Sequence, residues 1–268
     1  MLIVTRPEPQ CSAWVARLQV QGQPACALPL LRIEPVAEFA AALDAAWAAL
    51  ADYRLVMFVS PNAVERFCAR RPAAQAWPAA TLAAATGPGT VAALQAQGVP
   101  AEAIVAPAAD SAQFDADTLW VQQLAHRAWA GERTLIVRGE AGRDWLARTL
   151  QAHGAKVELL AAYRQAPPLW TPAELRQLDA LLAAPDAHAW LFSSSQAVRH
   201  LARRLVQIDG GLGALRGMAA IASHERIAAS ALALGLAEVH RCAPRPAAVL
   251  AVLEELRQIV SGVTKLRR

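Results

Sequence analysis

No two cysteines in this sequence stand close enough to share a metal or shuttle electrons: Cys11, Cys26, Cys68 and Cys242 are scattered, without a C-x-x-C spacing. Their absence from any motif leaves buried free thiols as the ordinary reading. Histidine does not fill the gap, since His126, His153, His188, His200, His224 and His240 show no H-x-x-x-H spacing. Most of them are expected on helix surfaces, with His224, in a loop after a strand, open between surface and site. The G-x-x-x-x-G-K-[ST] phosphate loop and the full dinucleotide fingerprint are both missing, which argues against a nucleotide ligand. No G-x-S-x-G elbow supplies a serine nucleophile.

A long hydrophobic run is lacking too, although 55% of the 268 residues are hydrophobic and only 18% charged. The longest uncharged stretch, Pro72 to Ala101, is interrupted by Pro78, Gly87-Pro88-Gly89 and Gly98, so it does not read as a membrane span. The opening MLIVTRP has no basic lead and meets Arg6-Pro7 where a signal peptide would be apolar, so a cytoplasmic location is expected. Basic charge is not concentrated: the net charge is +4, the arginines are spread out, and the one basic cluster is Lys265-Leu266-Arg267-Arg268. A mildly basic surface suits an anionic ligand, whereas a nucleic acid would call for a dense basic patch interleaved with aromatics.

What is present is a repeated pattern. LVMFVSPNAVERF (Leu55 to Phe67) resembles AWLFSSSQAVRHL (Ala189 to Leu201), with Phe58 matching Phe192 at an offset of 192 − 58 = 134. LAAATGPGTVAALQAQG (Leu82 to Gly98) parallels MAAIASHERIAASALALG (Met218 to Gly235) at 218 − 82 = 136. Residues Ile104 to Leu124 parallel Val239 to Leu256, each a short strand, a Pro-bearing loop and an amphipathic helix. A fourth match reverses the order, because Thr134 to Arg164 resembles the N-terminal Met1 to Arg32.

Apolar runs alternating with amphipathic stretches predict parallel sheets with helices on both faces, an α/β fold of two doubly wound domains. The permuted order predicts a discontinuous outer domain, residues 1–34 plus 167–262, with an inserted domain at 38–163 and a basic tail at 263–268. Ile33 to Ala37 and Tyr163 to Pro168 would form a two-stranded linker, where Pro35 and Pro167-Pro168 favour extended backbone. Gly22, Gly98, Gly154 and Gly235 fall where helices should stop.

Ligands of open parallel sheets bind at the carboxyl ends of the strands, where helix N-termini present free N–H groups. Ser60-Pro61-Asn62, Thr86-Gly87-Pro88-Gly89-Thr90 and Ser193-Ser194-Ser195-Gln196 stand at such places, and Arg6 and Arg138 follow equivalent strands. Guanidinium forks pair with carboxylates. Together these loops predict a site for several anions between the domains, against the plainer alternative of helix caps and salt bridges. Asp110, Asp115 and Asp117 read as a helix start. Tyr163 is one of only two tyrosines and falls at the expected domain crossing. Its phenol is suited to donate a proton to a leaving hydroxyl, or simply packs beneath a linker.

VTRP, FVSPNAV, ATGPGT, VRGEAGRDWL, AYR and FSSSQAV, in this order and spacing over almost the whole chain, resemble the uroporphyrinogen-III synthase family of tetrapyrrole biosynthesis. The resemblance implies a lyase that cyclises hydroxymethylbilane, a linear tetrapyrrole with eight carboxylates, to uroporphyrinogen III with loss of water and inversion of ring D. It implies no metal or organic cofactor, a monomer, and at most transient contact with the enzyme that supplies the substrate. Tyr163 matches the family's linker tyrosine and is the implied acid. Binding falls to Arg6, Ser60, Asn62, Gly87, Gly89, Thr90, Arg138, Gly139, Ser194, Ser195 and Gln196. Ala222-Ser223-His224-Glu225-Arg226 departs from the small hydroxyl residues of many relatives, so the role of that loop stays open. The alternative from another class is a non-catalytic two-domain protein that binds a small anion.

Overall fold

The computed structural model describes residues 1–73 and 75–266, with side chains through residue 256. Its strands are β1 (Leu2–Val4), β2 (Ala25–Ala27), β3 (Arg32–Glu34), β4 (Leu55–Phe58), β5 (Leu82–Ala85), β6 (Ile104–Val105), β7 (Arg133–Gly139), β8 (Lys156–Ala166), β9 (Ala189–Phe192), β10 (Ala219–Ala222) and β11 (Glu238–Arg241). Its α-helices are α1 (Gln10–Val20), α2 (Ala40–Ala48), α3 (Pro61–Cys68), α4 (Pro88–Ala96), α5 (Ala116–Leu119), α6 (Trp145–Ala152), α7 (Pro172–Leu182), α8 (Ser195–Leu205), α9 (Gly211–Ala214), α10 (Glu225–Ala233) and α11 (Pro246–Leu266). The side chains of the basic terminus Lys265–Arg268 lie outside the described residues.

The chain divides into two compact units, Met1–Arg32 with Ala166–Arg268, and Ile33–Gln165. The first holds the five-stranded sheet β11-β10-β9-β1-β2, whose paired strands are all parallel. Strand side chains alternate between faces, so a strand buried on both sides must be apolar throughout, as β1 and β9 are. Leu2, Val4, Leu191 and Ile221 pack on Cys11, Trp14 and Leu18 of α1 and on Val249 and Leu253 of α11. The intervening Ile3, Trp190 and Phe192 are fully buried as well.

The second unit carries the order β3-β8-β7-β4-β5-β6, parallel from β8 to β6. Val56 and Phe58 of β4 meet Trp47, Phe67, Trp77 and Leu94, whereas Leu55 and Met57 meet Trp120, Leu124, Trp129 and Leu150. Trp47 is fully buried, stacks on Phe67 at 4.7 Å between ring centroids, and donates its indole N–H to Phe67 O at 2.7 Å. Trp47→Ala is expected to cost about 3–5 kcal/mol, seen as a lower denaturant midpoint. A loss below about 1 kcal/mol would mean this cluster does not bear on stability.

Local signals explain most element ends. Gly22, Gly98, Gly154 and Gly235 take positive φ just after α1, α4, α6 and α10, a conformation that costs a Cβ-bearing residue. Asp115 starts α5, its carboxylate accepting from Thr118 N and Oγ1 at 2.9 Å. The amphipathic helix expected there differs: α5 has four residues and gives way to a π turn, Trp120–Leu124, with both end residues buried. His200 also departs from the surface position expected of it, being buried on the inner face of α8. Among the described residues no helix is long and apolar enough to cross a membrane.

In each sheet the order of strands reverses once, between β1 and β9 in the first and between β4 and β7 in the second. Crevices that receive ligands open beyond the carboxyl ends of strands at such points. The residues delivered there are Arg6 and Ser193–Ser195 in one unit, and Ser60–Asn62 and Arg138–Glu140 in the other.

Candidate functional site

In the second unit the site is built around a bulge. Arg138 of β7 pairs with Ala161 of β8, but the next residue, Gly139, pairs with Tyr163, so the register slips. A Cβ on Gly139 would lie 3.0 Å from Tyr163 Cε2 and 3.3 Å from Cζ; the phenol ring lies across the bare glycine. Past the bulge, Glu140 N–H donates to Tyr163 O at 2.8 Å, and Arg164 grips the Glu140 carboxylate at 2.6 and 2.8 Å. The backbone that carries Tyr163 is thereby fixed on both sides.

The phenol oxygen lies 3.0 Å from Ser60 Oγ. Ser60 is also the N-cap of α3, accepting from Ala63 N–H at 3.2 Å, with Pro61 in the first helical position. Tyr163 is 2% exposed whereas Ser60 is half-buried. Burial pushes the phenol pKa up, and the Ser60 hydroxyl, the Arg138 charge and Gln165 pull against it. The net direction keeps the phenol protonated at neutral pH, while the groups that would receive its conjugate base are already in place.

Arg138 is 8% exposed and ion-paired with Asp144, whose carboxyl it holds below the usual range. A Cβ on Gly142 would stand 2.9 Å from Arg138 Nη2, so this loop curls against the guanidinium. Arg138 was expected to meet ligand; its guanidinium is engaged within its own loop. Gly89 brings the next loop alongside, a Cβ there lying 3.6 Å from Pro61, and Gly87 is the N-cap of α4, beside Phe114. Asn62 and Thr90 are buried in the first turns of α3 and α4.

The first unit is simpler. Ser194 caps α8, accepting from Gln196 N–H at 3.1 Å, and Ser195 Oγ donates to Arg226 O at 3.4 Å. The Gln196 amide is occupied on its own helix: it lies 2.9 Å from His200 Nε2 and accepts from Arg199 Nε at 3.1 Å. His200 in turn donates from Nδ1 to Leu30 O at 2.8 Å. His224, left open between surface and site, is the N-cap of α10 and accepts from Arg226 N–H at 3.1 Å. Arg6 lies over Trp14, its guanidinium carbon 4.5 Å from the ring centroid.

Sequence reasoning passed over Asp144, Gly142, Gln165 and the burial of His200. Asp144 had a signal, an acid six residues after a strand-end arginine in RGEAGRD; the others had none. Burial pushes the Cys11 thiol to about 12 and those of Cys68 and Cys242 to about 11, so all three stay protonated near neutrality. A cavity of about 500 Å³ lined by Tyr53, Arg54, Arg127 and Glu132 opens at the amino ends of β4, β5 and β7, the opposite end of that sheet from Ser60 and Gly139.

The family profile described as "Uroporphyrinogen-III synthase HemD" matches residues 12–249. The uroporphyrinogen-III synthase of Synechococcus elongatus is 34% identical over 204 residues, covering 74% of this chain and 72% of that protein. The one of Salmonella typhimurium is 32% identical over 165 residues, 61% of this chain and 64% of its own length. In fold, a mutant uroporphyrinogen III synthase of Thermus thermophilus superposes with a TM-score of 0.57 at 17% identity, over 96% of this chain and 99% of that one.

Proposed function

The chain belongs to the uroporphyrinogen-III synthase family, lyases of tetrapyrrole biosynthesis, and on that premise we propose that it cyclises hydroxymethylbilane to uroporphyrinogen III with loss of water and inversion of ring D. The observation that carries this reading is the Tyr163–Ser60 pair at the carboxyl end of the second sheet, a neutral acid held beside helix N-termini. Two doubly wound domains, permuted copies of one unit joined by a two-stranded linker, would each supply strand-end loops to the substrate. The strand orders support the duplication: β9, β10, β11, β1 and β2 match β4, β5, β6, β7 and β8 in sequence and in place.

The reaction begins as the ring A hydroxyl departs. With the phenol buried and Ser60 half-buried, the Tyr163 proton passes to Ser60 Oγ while the Ser60 hydroxyl proton joins the leaving oxygen, releasing water. The phenolate so formed is met by the Ser60 hydroxyl and the Arg138 cation. The cation left on ring A is then attacked by the ring D carbon that already carries the ring C methylene, giving a spiro intermediate. That methylene bond breaks and re-forms at the free α-carbon of ring D, whose proton is lost and restores Tyr163, so ring D closes inverted. The protein's main task is to fold the chain for that closure. Backbone N–H groups around Ser60, Asn62, Gly87, Gly89, Thr90, Gly139, Ser194, Ser195 and Gln196 hold the carboxylates. We read the enzyme as a cytoplasmic monomer that receives its substrate from the enzyme that makes it.

Purified protein should consume hydroxymethylbilane faster than it closes spontaneously. Binding without acceleration would favour a non-catalytic anion-binding protein instead. The pH profile follows from the phenol: its raised pKa puts the alkaline limb of kcat above pH 10, the ordinary tyrosine value. The stability that burial of the neutral phenol contributes is complete below that pH and is lost as pH rises through the higher folded-state value. An alkaline limb near neutrality would assign the proton to another group.

A further inference from the structure

Arg6 stands two residues beyond β1 and Arg138 is the penultimate residue of β7, so both lie at the carboxyl ends of corresponding strands, on one side of the reversal in each sheet. Their partners differ. Arg138 has Asp144 beside it, whereas among the described residues no carboxylate pairs with Arg6. The Arg6 Nε is buried without a hydrogen-bond partner, and the guanidinium lies over the Trp14 ring. Glu8, two residues on, is turned away to α1, where it accepts from Ser12 N–H at 3.2 Å and Ser12 Oγ at 2.9 Å. The other ionisable group against it, the Cys11 thiol, donates to Val4 O at 3.0 Å and stays protonated. Burial holds the Arg6 guanidinium down to about 10, the direction expected of a cation desolvated without an anion. Arg6 is nonetheless half-buried, not sealed.

We propose that Arg6 is a carboxylate seat: it receives one acidic side chain of the substrate and so gains the partner that Asp144 gives Arg138. This rests on the polycarboxylate substrate of the preceding section. Uncompensated, the cation weighs against the fold; occupied, it contributes a charge-assisted pair. Binding function and stability therefore pull in opposite directions at this residue.

Arg6→Met keeps the stem over Trp14 and removes the charge. The unfolding temperature of the free variant should equal or exceed that of wild type, while its KM for hydroxymethylbilane rises about 10-fold or more, far more than kcat falls. A lower unfolding temperature with unchanged KM would make Arg6 a structural residue and overturn the proposal. To separate this from the assignment of the reaction, uroporphyrin I, a stable octacarboxylate, is titrated by fluorescence quenching into both proteins. Affinity about 10-fold weaker in the variant supports the seat even if wild type turns nothing over. Equal affinity, or no binding to wild type, overturns the seat whatever the activity.

Discussion

Tyr163→Phe is expected to lower kcat by about 10²- to 10⁴-fold, the range that a positioned general acid contributes, with little change in KM. The substitution removes one oxygen from a ring that is 2% exposed and leaves the ring's packing in place. Ser60 keeps its bond from Ala63 N–H, so the start of α3 survives. The loss in stability should be about 1 kcal/mol, the net value of one hydrogen bond. Ser60→Ala provides the contrast: it should also lower kcat, through loss of the proton's path, and should cost about 1 kcal/mol from the lost cap. A Tyr163→Phe enzyme of full activity would move proton donation to another residue.

Gly139→Val should lower kcat by about 10²-fold through displacement of the same ring, since about 1 Å of misplacement is enough for such a loss. Gly139 has no positive φ, so its backbone would accept any residue; the demand for glycine comes from contact with Tyr163 Cε2 at 3.0 Å from a Cβ. The ring has little freedom to yield, because Glu140 and Arg164 fix the backbone on which it stands. Crowding of this sort costs about 1–3 kcal/mol, visible in a denaturant titration. Turning the ring aside breaks its bond to Ser60, so activity should fall further than stability alone explains. Unchanged kcat would show that the bulge does not position the phenol.

Much of the fold is legible because it depends on patterns confined to one segment. LVMFV reads as a strand buried on both faces, and its two sets of side chains enter two separate cores. Ser60 before Pro61 reads as a helix start and is one. The site is less legible, because it depends on pairing between segments. Nothing in LLAAYRQ announces that Tyr163 stands opposite Gly139, since the one-residue slip at Arg138 is a matter of register. Likewise Arg138 and Arg6 look alike in sequence, each an arginine at a strand end. Only the fold shows that one turns to Asp144 while the other lies on Trp14. His200 was expected at the surface because a lone polar residue on a helix usually is, but Leu30 O and Gln196 satisfy its ring inside.

The most direct measurement is the isomer composition of the product. Wild-type protein is mixed with freshly generated hydroxymethylbilane, the products are oxidised, and the uroporphyrin isomers are separated beside a protein-free control. Isomer III in excess is the predicted result, because only an enzyme that steers ring D through inversion yields it. Isomer I alone, as in the control, would contradict the account.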